Sequence, residues 1–189
     1  MAWRRAQGIA DDELAVLFFG RLVLEKGIDV YAETMRALQG DARFRPLVVG
    51  TGPHEGEFAA IPGAILTGHL EGEALACAVA SADVMLTPSV TETFGQVVLE
   101  AMASGLPVIA ADAPSARALL REGESGLIVP PRDVAAYVAA LERLAAASDL
   151  RARMGAAARE ASAAYSWDAA SESVARVYRA LLERGMAAR

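Results

Sequence analysis

Short, unbroken apolar runs recur along the chain at residues 14–19, 46–49, 64–67, 84–87, 107–110 and 126–129. Runs of this length without polar alternation mark parallel strands covered on both faces. Between them lie stretches with apolar residues at helical spacing: 29–38, 55–60, 73–81, 94–104, 115–122 and 134–146. This alternation predicts an α/β fold, a Rossmann-like, doubly wound, mainly parallel six-stranded sheet with helices on both faces. Beyond residue 147 the strands stop. Two helical stretches, 150–164 and 167–184, predict a helical C-terminal tail (148–189) of the same domain. In the second of them Ala170, Val174, Val177, Tyr178 and Leu181 form an apolar stripe. No repeat or low-complexity linker interrupts the pattern, so residues 1–189 read as a single domain.

The common strand order 3-2-1-4-5-6 places the first and fourth strands side by side where the order reverses, and ligands bind at the strand carboxyl ends there. Two loops, 20–27 and 88–94, flank that point. The first, Gly20-Arg21-Leu22-Val23-Leu24-Glu25-Lys26-Gly27, sets two cations five residues apart between glycines that let backbone approach a ligand. The second, Ser89-Val90-Thr91-Glu92-Thr93-Phe94-Gly95, leads into a helix whose first turn offers unpaired N–H groups and a positive dipole end. Two cations facing a helix N-terminus suit a di-anion such as a diphosphate. The plainer alternative is a solvated loop pair. Glu100 lies in a helix that otherwise reads as buried, where a carboxylate needs hydrogen-bond partners. A ribose diol would supply them, as would a local ion pair at a helix edge.

Composition narrows the classes further. The apolar fraction is 54%, of which alanine supplies 42 residues. The remaining apolar side chains suffice for one globular core and are too many for a disordered chain. A net charge of −6 argues against a general nucleic-acid binder. No run of 18 apolar residues predicts a membrane span. Arg4 and Arg5 precede no apolar segment of the signal-peptide kind, and a cytoplasmic location is expected. Cys77, the single cysteine, excludes a disulfide framework and reads as a small core residue. His54 and His69 are too few for a metal site, and Asp11-Asp12 reads as a polar lead-in. Gly50-Thr51-Gly52 is a dinucleotide-type fragment lacking its third glycine, weak as a sign of NAD. Of 18 basic side chains only Lys26 is lysine, and it falls in the first of the two loops.

The motifs themselves carry a resemblance. Gly20-Arg21-Leu22 with Glu25-Lys26-Gly27, Val49-Gly50-Thr51-Gly52-Pro53, and Ala82-Asp83-Val84 with Pro88-Ser89 follow in order. Glu92-Thr93-Phe94-Gly95 then runs on to Leu99-Glu100-Ala101-Met102-Ala103-Ser104-Gly105-Leu106-Pro107-Val108-Ile109. From about residue 14 to about 146 the chain resembles the C-terminal, donor-binding half of the family 4 (group 1) glycosyltransferases of the GT-B fold. Glu92 and Glu100 match the family's paired glutamates.

The resemblance implies a retaining, metal-independent transfer of a hexosyl group from a nucleotide-diphosphate sugar, with no cofactor beyond that donor. It makes Arg21, Lys26 and Glu92 catalytic, the two cations on the diphosphate and Glu92 at the donor sugar. Gly20, Gly50 and Gly52 would line the donor site. Gly68-His69-Leu70 would seat the base, Thr93, Phe94 and Gly95 the sugar, Gln96 and Val97 the phosphates, and Glu100 the ribose. The N-terminal acceptor domain of such an enzyme would be the partner, and peripheral membrane association of the full enzyme stays open. Asp112-Ala113-Pro114-Ser115-Ala116-Arg117 departs from the two glycines and glutamate that many members carry after the fifth strand. Two other readings remain: a non-catalytic nucleotide-sugar-binding module, and an epimerase-like relative. A phosphorylase would need a pyridoxal-phosphate lysine, and the one lysine is already in the phosphate loop.

Overall fold

A computed structural model describes residues 2–187. Its strands are β1 (Leu14–Phe19), β2 (Phe44–Val49), β3 (Ile65–Leu66), β4 (Val84–Thr87), β5 (Val108–Ala111) and β6 (Gly126–Val129). They form one sheet in the order β3-β2-β1-β4-β5-β6, every pairing parallel. The expected reversal between β1 and β4 is present. Strand β2 starts two residues earlier than its apolar run and carries Pro46 inside it. Val48 faces β3 through its carbonyl, so Pro46, two residues before it, faces the same side. Pairing with β3 begins only at Leu47, so the N–H that proline lacks has no partner strand to miss.

The connecting helices are α1 (Ala2–Ala6), α2 (Ile28–Ala37), α3 (Glu55–Ala59), α4 (Gly72–Ala80), α5 (Gln96–Ala103), α6 (Pro114–Leu119) and α7 (Val134–Ala146). The tail holds α8 (Ser148–Ser162) and α9 (Trp167–Ala187). Strand β1 shows how the sheet feeds two cores. Leu14, Val16 and Phe18 pack on α2, α3 and α7 with Tyr31, Met35, Phe58 and Leu141. Ala15, Leu17 and Phe19 point the other way, against Val79, Val98, Met102 and Ala158 of α4, α5 and α8. All six β1 side chains are buried, as an unbroken apolar run requires. Tyr31, fully buried, donates from its hydroxyl to the Val16 carbonyl at 2.7 Å, and burial raises its pKa. Helix α8 packs on α5 and meets the turn after it at backbone contact, where a Cβ on Gly155 would lie 2.1 Å from the Gly105 carbonyl oxygen.

Two features depart from the sequence reading. Helix α1 has no counterpart among the expected elements. Its Arg4 is 7% exposed and ties the chain's start to the β4 entrance. Arg4 donates to Asp83 at 2.6 Å and to the carbonyls of Ser81, Ala10 and Glu13, while Asp83 also accepts the Ala15 N–H at 2.7 Å. Cys77 is exposed and not a core residue, because α4 turns Ala78 and Val79 inward and leaves Cys77 outside. Helix α9 displays its stripe to solvent: Ala170, Val174, Val177, Tyr178 and Leu181 are all exposed, and Trp167 is 88% exposed.

Arg4→Ala strands the Asp83 carboxylate and three carbonyls at a poorly solvated junction. We expect it to lower unfolding stability by about 2–4 kcal/mol, read by urea denaturation. A change within error of zero would show that the clamp is not stabilising.

Candidate functional site

The site begins with the geometry of the two switch-point loops. After β1 the chain passes Gly20 at φ 137° and Arg21, buries Leu22, and makes a single 3₁₀ turn at Leu24–Lys26. Gly27, at φ 72°, then opens α2. A side chain at Gly27 would strike Pro88 at 2.8 Å, so this glycine serves contact between the loops and not approach to a ligand. Thr91 donates its hydroxyl to the Glu25 carbonyl at 3.0 Å, a second stitch between the same loops. The third stitch is ionic: Lys26 Nζ lies 2.5 Å from Glu92 Oε1, with side chains 24% and 14% exposed. Arg21 reaches back along its own loop to Glu25 at 3.1 Å, and both are largely exposed.

The loop after β2 is pressed against the loop after β1. Leu22 N–H donates to Thr51 and His54 N–H to Leu22, while Gly50 N–H ties the same loop to Gly68, beyond β3. A Cβ on Gly50, whose φ is 139°, would lie 1.9 Å from the Gly20 carbonyl oxygen. On Gly52 it would lie 2.4 Å from that of Leu22. Both glycines are required by the protein's own backbone. Gly20 differs: a Cβ there meets only Val97, at 4.0 Å, so its open side faces the cleft.

Helix α5 supplies the opposite wall. Gly95 is its N-cap in the left-handed region, and no side chain caps the first turn. The orphan N–H groups of that turn therefore stay available at the positive end of the dipole. Along α5 only Val98, Ala101 and Met102 are buried; Val97, Leu99 and Glu100 are half-buried. The expected wholly buried helix is thus a helix edge, and Glu100 needs no buried partner. It accepts a long bond from the Gln96 amide at 3.4 Å.

Two cavities share Phe19, Gly20, Arg21 and Val97 as a common wall. The first, about 300 Å³, adds Lys26, Glu92, Gln96, Thr87 and Ser89. The second, about 260 Å³, adds Gly50, His69, Leu70, Leu75 and Glu100. The expected residues are thereby sorted: Lys26 and Glu92 in one lobe, Leu70, His69 and Glu100 in the other, Arg21 between. His69 is exposed, its Nε2 2.8 Å from Glu71. Gly52, Thr93, Phe94 and Gly95 line neither lobe. Phe94 is 46% exposed and stacks edge-on with Tyr165 at 6.0 Å, beside a separate apolar cavity that includes Trp167. Thr87 and Ser89 are both buried; Thr87 was missed in the sequence and Ser89, though named in its loop, was given no role, while their place at the end of β4 was the available signal. Past β5, Asp112 and Arg117 form a two-bond ion pair at 2.5 and 2.6 Å. The Arg117 hydrogen bond and charge hold the Asp112 carboxyl below the usual range. Among the described residues no three His, Cys, Asp or Glu side chains gather as a metal site, and no helix is long and apolar enough to cross a membrane.

Comparison with known proteins bears on the family and the fold. The family described as glycosyl transferases group 1 matches residues 13–147. The chain is 38% identical over 178 residues to the GDP-mannose-dependent alpha-mannosyltransferase of Mycolicibacterium smegmatis, covering 92% of this chain and 45% of that protein. It is also 38% identical over 166 residues to sulfoquinovosyl transferase SQD2 of Arabidopsis thaliana, covering 84% of this chain and 32% of that one. Among solved structures, sucrose-phosphate synthase from Thermosynechococcus elongatus superposes with a TM-score of 0.82 at 29% identity, over 96% of this chain and 48% of the other. Anabaena HepE, solved in complex with UDP and glucose, shares the fold at a TM-score of 0.81 and 20% identity, over 94% and 51%. The chain thus spans half or less of the curated relatives it matches here.

The glycine contacts set a stability test. Gly50→Ala drives a methyl into a neighbouring carbonyl at a left-handed position, and we expect a loss of about 3 kcal/mol or more, measured by thermal unfolding. Gly56→Ala, where a Cβ meets open space at an ordinary backbone angle, leaves the midpoint unchanged or raises it. Equal effects of the two would refute the loop-contact account.

Proposed function

This chain belongs to the group 1 glycosyl transferases, and from that premise we propose that it is the donor-binding half of a retaining glycosyltransferase that uses a nucleotide-diphosphate sugar. The observation that carries the reading is the meeting of Lys26, Arg21, Glu92 and the uncapped start of α5 around one two-lobed cleft. The diphosphate lies over Gly20, whose missing side chain leaves room for it. Arg21 and Lys26 meet its oxygens, and the first N–H groups of α5 add two or three further donors. Charge builds on this diphosphate as the glycosidic bond breaks. Fixed cations and an oriented dipole stabilise that charge most when no solvent must reorganise around it. In this reading the leaving group departs without a metal ion.

The sugar occupies the lobe of Glu92 and Thr87, and the nucleoside occupies that of Leu70, His69 and Glu100. Glu100 accepts hydrogen bonds from the ribose hydroxyls, the task acidic residues perform in dinucleotide folds. Base contacts fall on backbone near Gly68 and Leu70. A hexosyl group then passes to an acceptor held by an N-terminal half, which the coverage of the relatives supports. We place the reaction in the cytoplasm, where nucleotide sugars are made.

Calorimetric titration of the chain with UDP, GDP and ADP tests the reading. At least one binds, and Arg21→Ala with Lys26→Ala together weaken it by about 100-fold or more, since each charged hydrogen bond contributes about 1.5–3 kcal/mol. Lys26→Arg weakens it by about five-fold, because a planar guanidinium does not reproduce a compact ammonium. Arg43→Lys, a surface position paired with Asp41, changes nothing. Absence of binding by all three at millimolar concentration overturns the proposal.

A further inference from the structure

Both cations of the cleft hold carboxylates, and the two pairs are not alike. Arg21–Glu25 is a loop-surface pair, 74% and 57% exposed, of a kind that contributes little. Lys26–Glu92 joins positions 66 residues apart, at 2.5 Å, with both side chains largely shielded. Glu92 sits in the same lobe as the α5 start, so the lobe's one ammonium and its one carboxylate neutralise each other. A phosphate oxygen on Lys26 would bring a second anion against the Glu92 carboxylate, and two like charges at that distance repel strongly.

We propose that Glu92 is an internal anion competing with the donor diphosphate for Lys26, so that donor binding is an ion exchange. The diphosphate takes the ammonium, and the released carboxylate turns to accept hydrogen bonds from the sugar hydroxyls. Glu92 then has opposite effects on two parts of one ligand. It opposes binding of the diphosphate and favours binding of the sugar attached to it. The site thereby prefers the intact donor to the spent nucleoside diphosphate. Such a preference limits product inhibition without any movement of the fold. This proposal rests on the diphosphate reading above.

The test compares the chain with Glu92→Gln, Lys26→Met and the double variant by calorimetry, using inorganic pyrophosphate, UDP, GDP and ADP. Glutamine keeps the size of Glu92 and one acceptor oxygen, which can still meet Lys26, while removing the charge and turning the other oxygen into a donor. Glu92→Gln tightens pyrophosphate and the preferred nucleoside diphosphate by about three- to ten-fold, the range between an exposed and a shielded ion pair. It weakens the corresponding nucleotide sugar. In the Lys26→Met background the gain disappears, because no ammonium remains to contest. Glu25→Gln gains less than about two-fold. Unchanged or weaker diphosphate binding by Glu92→Gln overturns the proposal, as does a gain that persists with Lys26→Met, which would indicate long-range repulsion instead. If the unaltered chain binds none of the four probes, the diphosphate reading falls and takes this proposal with it. Binding without the gain removes the exchange alone.

Discussion

A parallel sheet covered by helices on both faces has no room for polar chemistry in its body. Each strand spends its side chains on one of two cores, as β1 does with Leu14, Val16 and Phe18 on one side and Ala15, Leu17 and Phe19 on the other. Polar and charged residues are displaced to the strand ends. At the carboxyl ends of β1 and β4 the chain connections diverge to opposite sides, which opens a crevice between them. Lys26 and Glu92, far apart in sequence, meet there because the strand order makes their loops neighbours. Remove the β1–β4 pairing and no other part of the fold would bring them together.

The loops around that crevice are held by unusually close backbone contact. Gly50 against Gly20, Gly52 against Leu22 and Gly27 against Pro88 leave no space for a methyl group. Their conformations are fixed by the protein's own backbone. This agrees with an electrostatic role, in which donors and cations contribute most when they are already in place. It also assigns the glycines different tasks: Gly20 is the one of these whose side-chain position is open, a Cβ there meeting only Val97.

Much of this was legible in the sequence because it depends on short-range pattern. Apolar runs located six strands, alternation with helical stretches gave the doubly wound order, and the order pointed to loops 20–27 and 88–94. What escaped depends on contacts between distant residues. Arg4 entered the sequence only as a charge with no apolar segment after it, and its burial is set by Asp83 and by carbonyls that no local pattern reveals. Cys77 was assigned inward because α4 is apolar nearly all round, which leaves its buried face undefined. The pairing of Lys26 with Glu92 was equally hidden: sequence placed both near one ligand but said nothing of their distance. Glu100 looked anomalous because α5 carries more apolar residues than its buried side needs.

The wall shared by the two lobes, built from Phe19, Gly20, Arg21 and Val97, has a consequence for how such a cleft can diversify. A ligand that straddles it is gripped at its middle by features common to many molecules and read at its two ends by separate sets of side chains. Changes around His69 and Leu70 need not disturb those around Thr87 and Glu92. Mutation can therefore explore each end on its own, retaining one half of the recognition while the other drifts. An inherited grip on the centre lets a lineage change its vocabulary one word at a time.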